Sequence, residues 1–418
     1  MTSTQKGLGG VGSRALVAAV LAHFTNDGAS MMFTVLIVYY LSLPISLAYL
    51  GGAAAASNLV SGLVAERIGS WADNSGRRGM FMAAGISLTG MATLIFAASF
   101  YSSRSAATIL LPGVMILGIG LAFYHPLGGS IIAFASEGKS LPRQMGINGS
   151  FGSVGRAFFP VLIVSIVGVF GAPAGLFALG AGVLAAGGVI FWLSRGIDTH
   201  MVGERRMRPV TKRSLKPFRR FVFTLTAVFF VDAAFASGIT TYIPSYYEQV
   251  YGSAGTAGLI TSIILLAPIL GQPVQGYLAS RLGSRRVLQI TVTSSVVFVA
   301  LFLSSQNVVL EVLSLAVFAF FFYTGFPVIL GYASLMTPRE SITRVNAIVW
   351  GFGSTIGTAL GSALGGTLGE AYGFHTSFTI CWGLGLVAVA LLPLVPGKAE
   401  QGAVDASTDQ IPAGDISS

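Results

Sequence analysis

"GSWADNSGRR" occupies residues 69–78 and "GYLASRLGSRR" occupies residues 276–286. Each is a polar, arginine-ended interruption between two long apolar runs, and the two lie about 200 residues apart. Other pairs keep roughly that spacing. "GSFGSVG" (149–155) is echoed by "WGFGSTIG" (350–357), and Asp27 by Asp232. An offset that recurs at several places marks a duplicated chain. Duplicated halves that face one another across a central site are a known transporter design.

Composition names the solvent around those halves. Of 418 residues, 53% are hydrophobic and 9% are charged, and mean hydropathy is +0.77. Soluble domains carry about 25% charged residues. Many separate apolar stretches reach the roughly 20 residues that a helix needs to cross a bilayer. The single cysteine, Cys381, excludes an internal disulfide framework.

These features predict an all-α membrane protein of about twelve transmembrane helices. We place the spans near 15–43, 46–70, 79–99, 107–135, 144–170, 173–194, 219–247, 254–279, 286–304, 309–336, 342–368 and 374–396. With the N-terminus inside, nearly every cation falls on the cytoplasmic face. Arg104 alone falls on the other, and Arg156 lies mid-helix. That is the positive-inside pattern, so both termini are expected in the cytoplasm. The net charge of +9 then reports topology rather than a nucleic-acid footprint. The expected organisation is a cytoplasmic N-terminal segment (1–14), a six-helix bundle (15–194), a basic cytoplasmic linker (195–218), a second six-helix bundle (219–396) and a disordered cytoplasmic tail (397–418). The linker's "RRMRPVTKRSLKPFRR" (205–220) either touches anionic lipid headgroups or is a plain basic connection.

Small residues recur on two helix faces: Gly353, Gly357, Gly361 and Gly365 in one span, and Gly149, Gly152 and Gly155 in another. That spacing lets helices approach closely in lipid, either as static packing or as a seam along which halves rock.

"GSWADNSGRR" resembles the loop between the second and third helices of the major facilitator superfamily, Gly-x-x-x-Asp-x-x-Gly-Arg-Arg. "AHFTND" (22–27), "FYHPLGG" (123–129) and "GSFGSVGRAFFP" (149–160) look like its fosmidomycin-resistance-like branch. The resemblance implies two pseudo-symmetric six-helix bundles around a central cavity, alternating access, and often proton-coupled export. In that family the loop locks the cytoplasmic side, which implies a gate made of Gly69, Asp73, Gly76, Arg77 and Arg78. The chain departs from the branch at Phe159-Pro160, where Gly-Pro is usual, and by carrying Arg156 and Glu66-Arg67.

Polar residues inside the spans are the candidate site. An ionisable group in a span costs roughly 2.5–3.5 kcal/mol on insertion scales and usually faces a cavity or a partner. His23 and Asp27, four apart, share a helix face, with Asn26 beside them. Asp27 lies roughly 20 Å along the helix from Arg14, too deep to reach the interface. It either carries protons or makes a structural hydrogen bond. Arg156 has a planar fork suited to carboxylate or phosphonate. It either meets cargo or pairs structurally with Asp27 or Glu66. His125, before Pro126, either satisfies a carbonyl that the proline frees or relays protons. Asp232, among aromatics and alanine, is the candidate proton site of the second half. Glu66 and Arg67 are expected to support the loop and the interface. Tyr39, Tyr124, Tyr242, Tyr246, Tyr323 and Trp350 are candidate cavity-lining aromatics, each of which packing would also explain.

No Gly-x-x-x-x-Gly-Lys-Ser/Thr run, metal-spaced Cys/His cluster or nucleophile elbow is present. ATP use, a cofactor, a metal and catalysis are therefore not expected. The sequence reads as a secondary active transporter in the cytoplasmic membrane, not an enzyme. Its expected partners are a small, anionic organic solute, protons and lipid, with no nucleic acid, and it is expected to work as a monomer. Broad drug/proton antiport of the fosmidomycin-resistance type is the nearest alternative. A transporter-like receptor is a further one, which would be expected to carry a long soluble output domain.

Overall fold

A computed structural model describes residues 3–136, 141–195, 218–337 and 341–397; the side chains of 3–11, 73, 134, 142, 272, 326 and 343 lie outside that description. Every element in it is helical. In lipid each backbone N–H and C=O must be satisfied within the protein, and a helix does this within one segment.

The first half contains α1 (Ser3–Tyr40), α2 (Leu47–Ser75), α3 (Arg78–Ser99), α4 (Ala106–Leu121), α5 (Tyr124–Ala135), α6 (Leu141–Phe170) and α7 (Ala172–Ser194). The second contains α8 (Arg219–Thr240), α9 (Ile243–Tyr251), α10 (Ala254–Ile264), α11 (Pro268–Leu282), α12 (Ser284–Ser304), α13 (Val308–Leu335), α14 (Ile342–Ile348), a π-helical stretch (Val349–Ile356), α15 (Gly357–Tyr372) and α16 (Phe374–Leu391). Most of the expected basic linker and C-terminal tail, and Lys139, lie outside the described residues.

Eleven described helical stretches are long and apolar enough to cross a membrane. The long helix missing from that set is α1, because His23, Thr25, Asn26 and Asp27 dilute its apolar character. It is nonetheless the packed centre of the first half, with Ala15, Ala18, Ala19, Ala22, Met32 and Leu36 fully buried.

Three spans expected as single helices are broken. The chain turns between α4 and α5, between α8 and α9, and between α10 and α11. Pro126, Pro244 and Pro268 stand in the first turn of the helix that follows each break. Proline has no N–H to give the preceding turn and its ring crowds the carbonyl there.

The glycine faces sit differently from a rocking seam. Cβ atoms at Gly357, Gly361 and Gly365 would press on the Phe230, Ala234 and Gly238 carbonyls, all on α8 of the same half. Gly152 and Gly155 press likewise on α1. The seam between halves uses other glycines. Gly51 of α2 lies against Ser362 and Gly366 of α15, Gly62 against Thr355, and Gly258 of α10 against Pro160 and Val164 of α6. Hydrogen bonds join the same seam: Val161 N–H donates to Ser262 Oγ at 3.0 Å, Ser150 Oγ to the Ile269 carbonyl at 3.1 Å, and Ala48 N–H to Glu370 Oε2 at 2.7 Å. The spacing of small residues encodes close approach but not the partner.

Candidate functional site

Gly152 and Gly155 explain how α6 reaches α1. A Cβ at Gly155 would collide with the Phe24 carbonyl, and one at Gly152 with His23 Nε2, and it would lie 2.7 Å from Asp27 Oδ2. Removing both side chains lets the helices touch, and Arg156, the next residue on α6, then lands on Asp27. Its Nη1 donates to Asp27 Oδ2. Its Nη2 donates to Ser153 Oγ at 3.0 Å. Its guanidinium lies 5.1 Å from the ring centroid of Tyr323, across the interface between halves. Among the described residues, Arg156 Nε has no hydrogen-bond partner.

Asp27 is ringed by donors. His23 Nε2 is 3.2 Å from Oδ2, His125 Nε2 is 3.8 Å from Oδ1, and Asn26 Nδ2 donates to Oδ1 at 3.2 Å. The Asp27 side chain is 4% exposed and that of Arg156 14%, whereas the His125 side chain is 50% exposed. An ion pair this buried needs further hydrogen bonds to offset desolvation; Asn26 supplies one to Oδ1 and His23 lies within reach of Oδ2, while His125 stands further off.

A second line of bonds sets His23. Tyr124 donates its hydroxyl to Asn148 Oδ1 at 2.9 Å, and Asn148 Nδ2 lies 2.9 Å from His23 Nδ1. With its oxygen taken by Tyr124, Asn148 presents N–H to His23. In that arrangement His23 Nδ1 accepts from Asn148, which leaves Nε2 as the nitrogen that faces Asp27. Tyr124 also stacks on His23, centroids 4.5 Å apart and planes 21° apart. The sequence reading missed Asn148. Its signal was position: Asn148, Gly152 and Gly155 recur at helical spacing on the face of α6 that meets α1.

These groups open on a cavity of about 720 Å³ between the halves. His23, Asp27, Tyr124, His125, Asn148 and Arg156 line it from the first half. Phe229, Ser237, Thr240, Tyr323, Trp350, Ser354 and Thr358 line it from the second. Gly129, Met145 and Gly146 bring the lining close to the C-terminal end of α5 and the N-terminal end of α6.

The remaining expected site residues are placed as follows. Asn26 is buried beside the cavity and supports Asp27. Asp232 is buried, does not line the cavity, and has no partner for Oδ1 among the described residues. Of the candidate aromatics, Tyr124, Tyr323 and Trp350 line the cavity, and Tyr39, Tyr242 and Tyr246 do not. Tyr242 is fully buried with its hydroxyl donating to the Ser362 carbonyl at 2.5 Å, and Tyr246 packs on Tyr247, Phe302 and Phe378. Aromatic residues within a span look alike in sequence whichever way they face.

In the expected gate, Gly76 ends α2 in the left-handed conformation, φ 65° and ψ 16°. Gly69 lies against Pro126, Arg77 is exposed and Arg78 is half-buried. The Asp73 side chain lies outside the described residues. Glu66 and Arg67 are exposed on α2 and do not line the cavity. Among the described residues no cluster of acidic, cysteine and histidine side chains is arranged to hold a metal.

Several solved structures share the fold. A bacterial homologue of the human lysosomal transporter Spinster, inward-facing and occupied, superposes with a TM-score of 0.72 at 16% identity, covering 92% of this chain and 96% of its own. A point mutant of the nucleoside transporter NupG gives 0.71 at 15%, covering 92% and 100%. A bacterial homologue of the iron transporter ferroportin, inward-facing, gives 0.66 at 13%, covering 94% and 98%. At these identities the likeness speaks for the fold alone. No curated protein sequence matches the chain. The family model described as Major Facilitator Superfamily matches residues 18–255 and again 228–413. Two overlapping matches along the chain, on halves that enclose a common cavity, have one reading: the chain belongs to the Major Facilitator Superfamily.

Proposed function

We propose that the protein is a proton-coupled secondary active transporter of a small organic anion, working by alternating access in the cytoplasmic membrane. The observation that carries this reading is the Asp27–Arg156 pair, buried at the wall of a cavity shared by both halves and flanked by two histidines.

The chemistry follows from competition. Arg156 commits one nitrogen to Asp27 and one to Ser153, and keeps Nε without a partner among the described residues. A carboxylate or phosphonate arriving from the cavity competes with Asp27 for the guanidinium, whose planar fork binds such groups in two-point fashion. Asp27, losing its cation, then favours a proton, taken from cavity water through His125. Cargo and proton influence one another without a separate coupling device. The loop 69–78 acts as the gate on the cytoplasmic side.

Aromatic lining by Phe33, Phe229, Phe322 and Trp350 favours a second reading, broad drug/proton antiport of the fosmidomycin-resistance type. Proteoliposome flux decides between them. Benzoate, fumarate and methylphosphonate are compared with choline and tetraethylammonium, with and without an imposed pH gradient. Gradient-dependent flux of the anions supports the main reading. Flux of the cations alone, or flux indifferent to Arg156→Ala, overturns it.

A further inference from the structure

The internal repeat is imperfect by one residue. "FGSVG" (151–155) becomes "FGSTIG" (352–357). The extra residue coincides with the π-helical stretch Val349–Ile356, whereas 151–155 is ordinary α-helix. A π-turn accommodates an added residue inside a helix whose flanks keep their packing, and such turns are frequent at functional sites. The flank that follows keeps it here: Gly155 sits on the Phe24 carbonyl in the first half, and its counterpart Gly357 sits on the Phe230 carbonyl in the second. The π stretch lines the cavity through Trp350 and Ser354. Trp350 meets His125 of the other half, ring centroids 5.9 Å apart and planes at 57°.

His125 is faced by Asp27 and His23 from α1 and by Arg156 from α6, with Tyr323 of α13 behind Arg156. The two histidines are not equivalent. Asn148 commits His23 Nδ1 as an acceptor, so a second proton on that ring would point at an N–H group. His125 is half exposed to the cavity and carries no such commitment among the described residues. It is the ring free to take a proton.

We propose that Trp350, set in place by the π-turn, is the positioning residue through which the second half reads the protonation of His125. A proton from cavity water converts His125 to imidazolium, and returns to that water when the contact opens; no other bond changes. The imidazolium is drawn at once to the Asp27 carboxylate and to the indole face, which attracts cations within about 6 Å. The neutral ring only packs there. Acid pH therefore ties α5 to the π stretch and narrows the cavity between the halves. This deepens the proton-coupling part of the proposed function and rests on it for its meaning in transport.

Two measurements without any solute test it. The chain has four tryptophans, and Trp71→Phe, Trp192→Phe and Trp382→Phe together leave Trp350 as the reporter. Its fluorescence is expected to fall as the pH is lowered far enough to protonate His125, because imidazolium quenches indole. His125→Gln is expected to abolish the fall. A fall that persists in His125→Gln, or no fall at all, overturns the proposal. In a Cys381→Ala background, spin labels at Arg143→Cys and Leu335→Cys report the distance between halves. Acid is expected to shorten that distance in the parent and in Trp350→Phe, which keeps a ring, but not in Trp350→Ala or His125→Gln. Shortening in Trp350→Ala equal to the parent's overturns it. If both arms hold while solute flux ignores pH, the proton-coupled transport reading fails alone and the contact stands as a pH-dependent link.

Discussion

Asp232 occupies in the second half the position that Asn26, not Asp27, occupies in the first. Gly155 of α6 leans on the Phe24 carbonyl, and Gly357, its counterpart, leans on the Phe230 carbonyl. Counting two residues on from each phenylalanine gives Asn26 and Asp232. Both are buried off the cavity, and each keeps an Oδ1 without a partner among the described residues. Asp27 corresponds instead to Ala233, and both of these line the cavity.

The site is therefore asymmetric, and the two aspartates should respond differently to the same change. A neutral amide already serves the Asp232 position in the first half, so Asp232→Asn is expected to leave uptake and its pH profile close to the parent's. Asp27→Asn removes the carboxylate from Arg156. Breaking a buried pair by removing one partner costs about 3–5 kcal/mol, so a lower melting temperature in detergent should accompany loss of gradient-driven uptake. Equal damage from both substitutions would refute the assignment of register.

Arg156 is tested by two replacements. Arg156→Ala leaves Asp27 without its cation and is expected to abolish anion flux. Arg156→Lys keeps the charge but cannot reproduce the bonds that two separate nitrogens make to Asp27 and Ser153, since an ammonium has no planar fork. We expect it to fold and to transport with a KM raised about tenfold, the loss of roughly 1.4 kcal/mol of binding. Dose–response uptake of benzoate in proteoliposomes measures both. Normal transport by both variants would remove Arg156 from the mechanism.

Gly76 ends α2 with φ 65°. For a residue with a Cβ that left-handed conformation costs about 1–2 kcal/mol. Gly76→Ala is expected to lower the melting temperature by a few degrees and to shift the start of α3. Asp73→Asn, three residues earlier, is expected to slow turnover while solute binding, followed by calorimetry, stays intact. The pair separates the backbone demand of the loop from the gating role proposed for its charges.

How much of this was legible beforehand follows from what each signal encodes. Apolar length and the 200-residue echo carried the two-half helical fold, because lipid leaves the backbone few alternatives. The Asp27–Arg156 encounter was readable as a pair of expensive charges on helices that line a common cavity. The register of the echo was not: Asp27 and Asp232 match as letters, while the glycine contacts that align the halves pair Asp232 with Asn26. The glycine faces had the right spacing but no information on which neighbour they meet. Three proposed lining tyrosines pack elsewhere for the same reason. Asn148 escaped notice because a neutral amide carries no insertion penalty large enough to stand out.

Glu370 bears on the end of the seam where the chain passes from α1 to α2. It belongs to α15 in the second half, and its Oε2 accepts the Ala48 N–H in the first turn of α2 in the other half, at 2.7 Å. That turn has no acidic residue of its own, and the α2 cap Ser46 accepts only from Tyr49 N–H. A carboxylate at a helix N-terminus is worth about 0.3–1 kcal/mol at an exposed site. The interaction exists only while the halves are closed at this end, so the whole of that energy favours the state seen here. Glu370→Gln keeps an acceptor without the charge, and Glu370→Ala removes both. The expected order of closed-state population is parent, then Gln, then Ala, with the last shifted roughly two- to fivefold toward opening at this end. Cysteine accessibility at Leu47→Cys, a position buried against Gly366 and Gly369 of the second half, in a Cys381→Ala background, reads the opening as a faster reaction with a membrane-impermeant thiol reagent. Raising salt should narrow the gap between parent and Gln, since the dipole contribution is screened. Reaction rates that are identical in all three proteins would show that the carboxylate caps α2 without helping to hold the halves together.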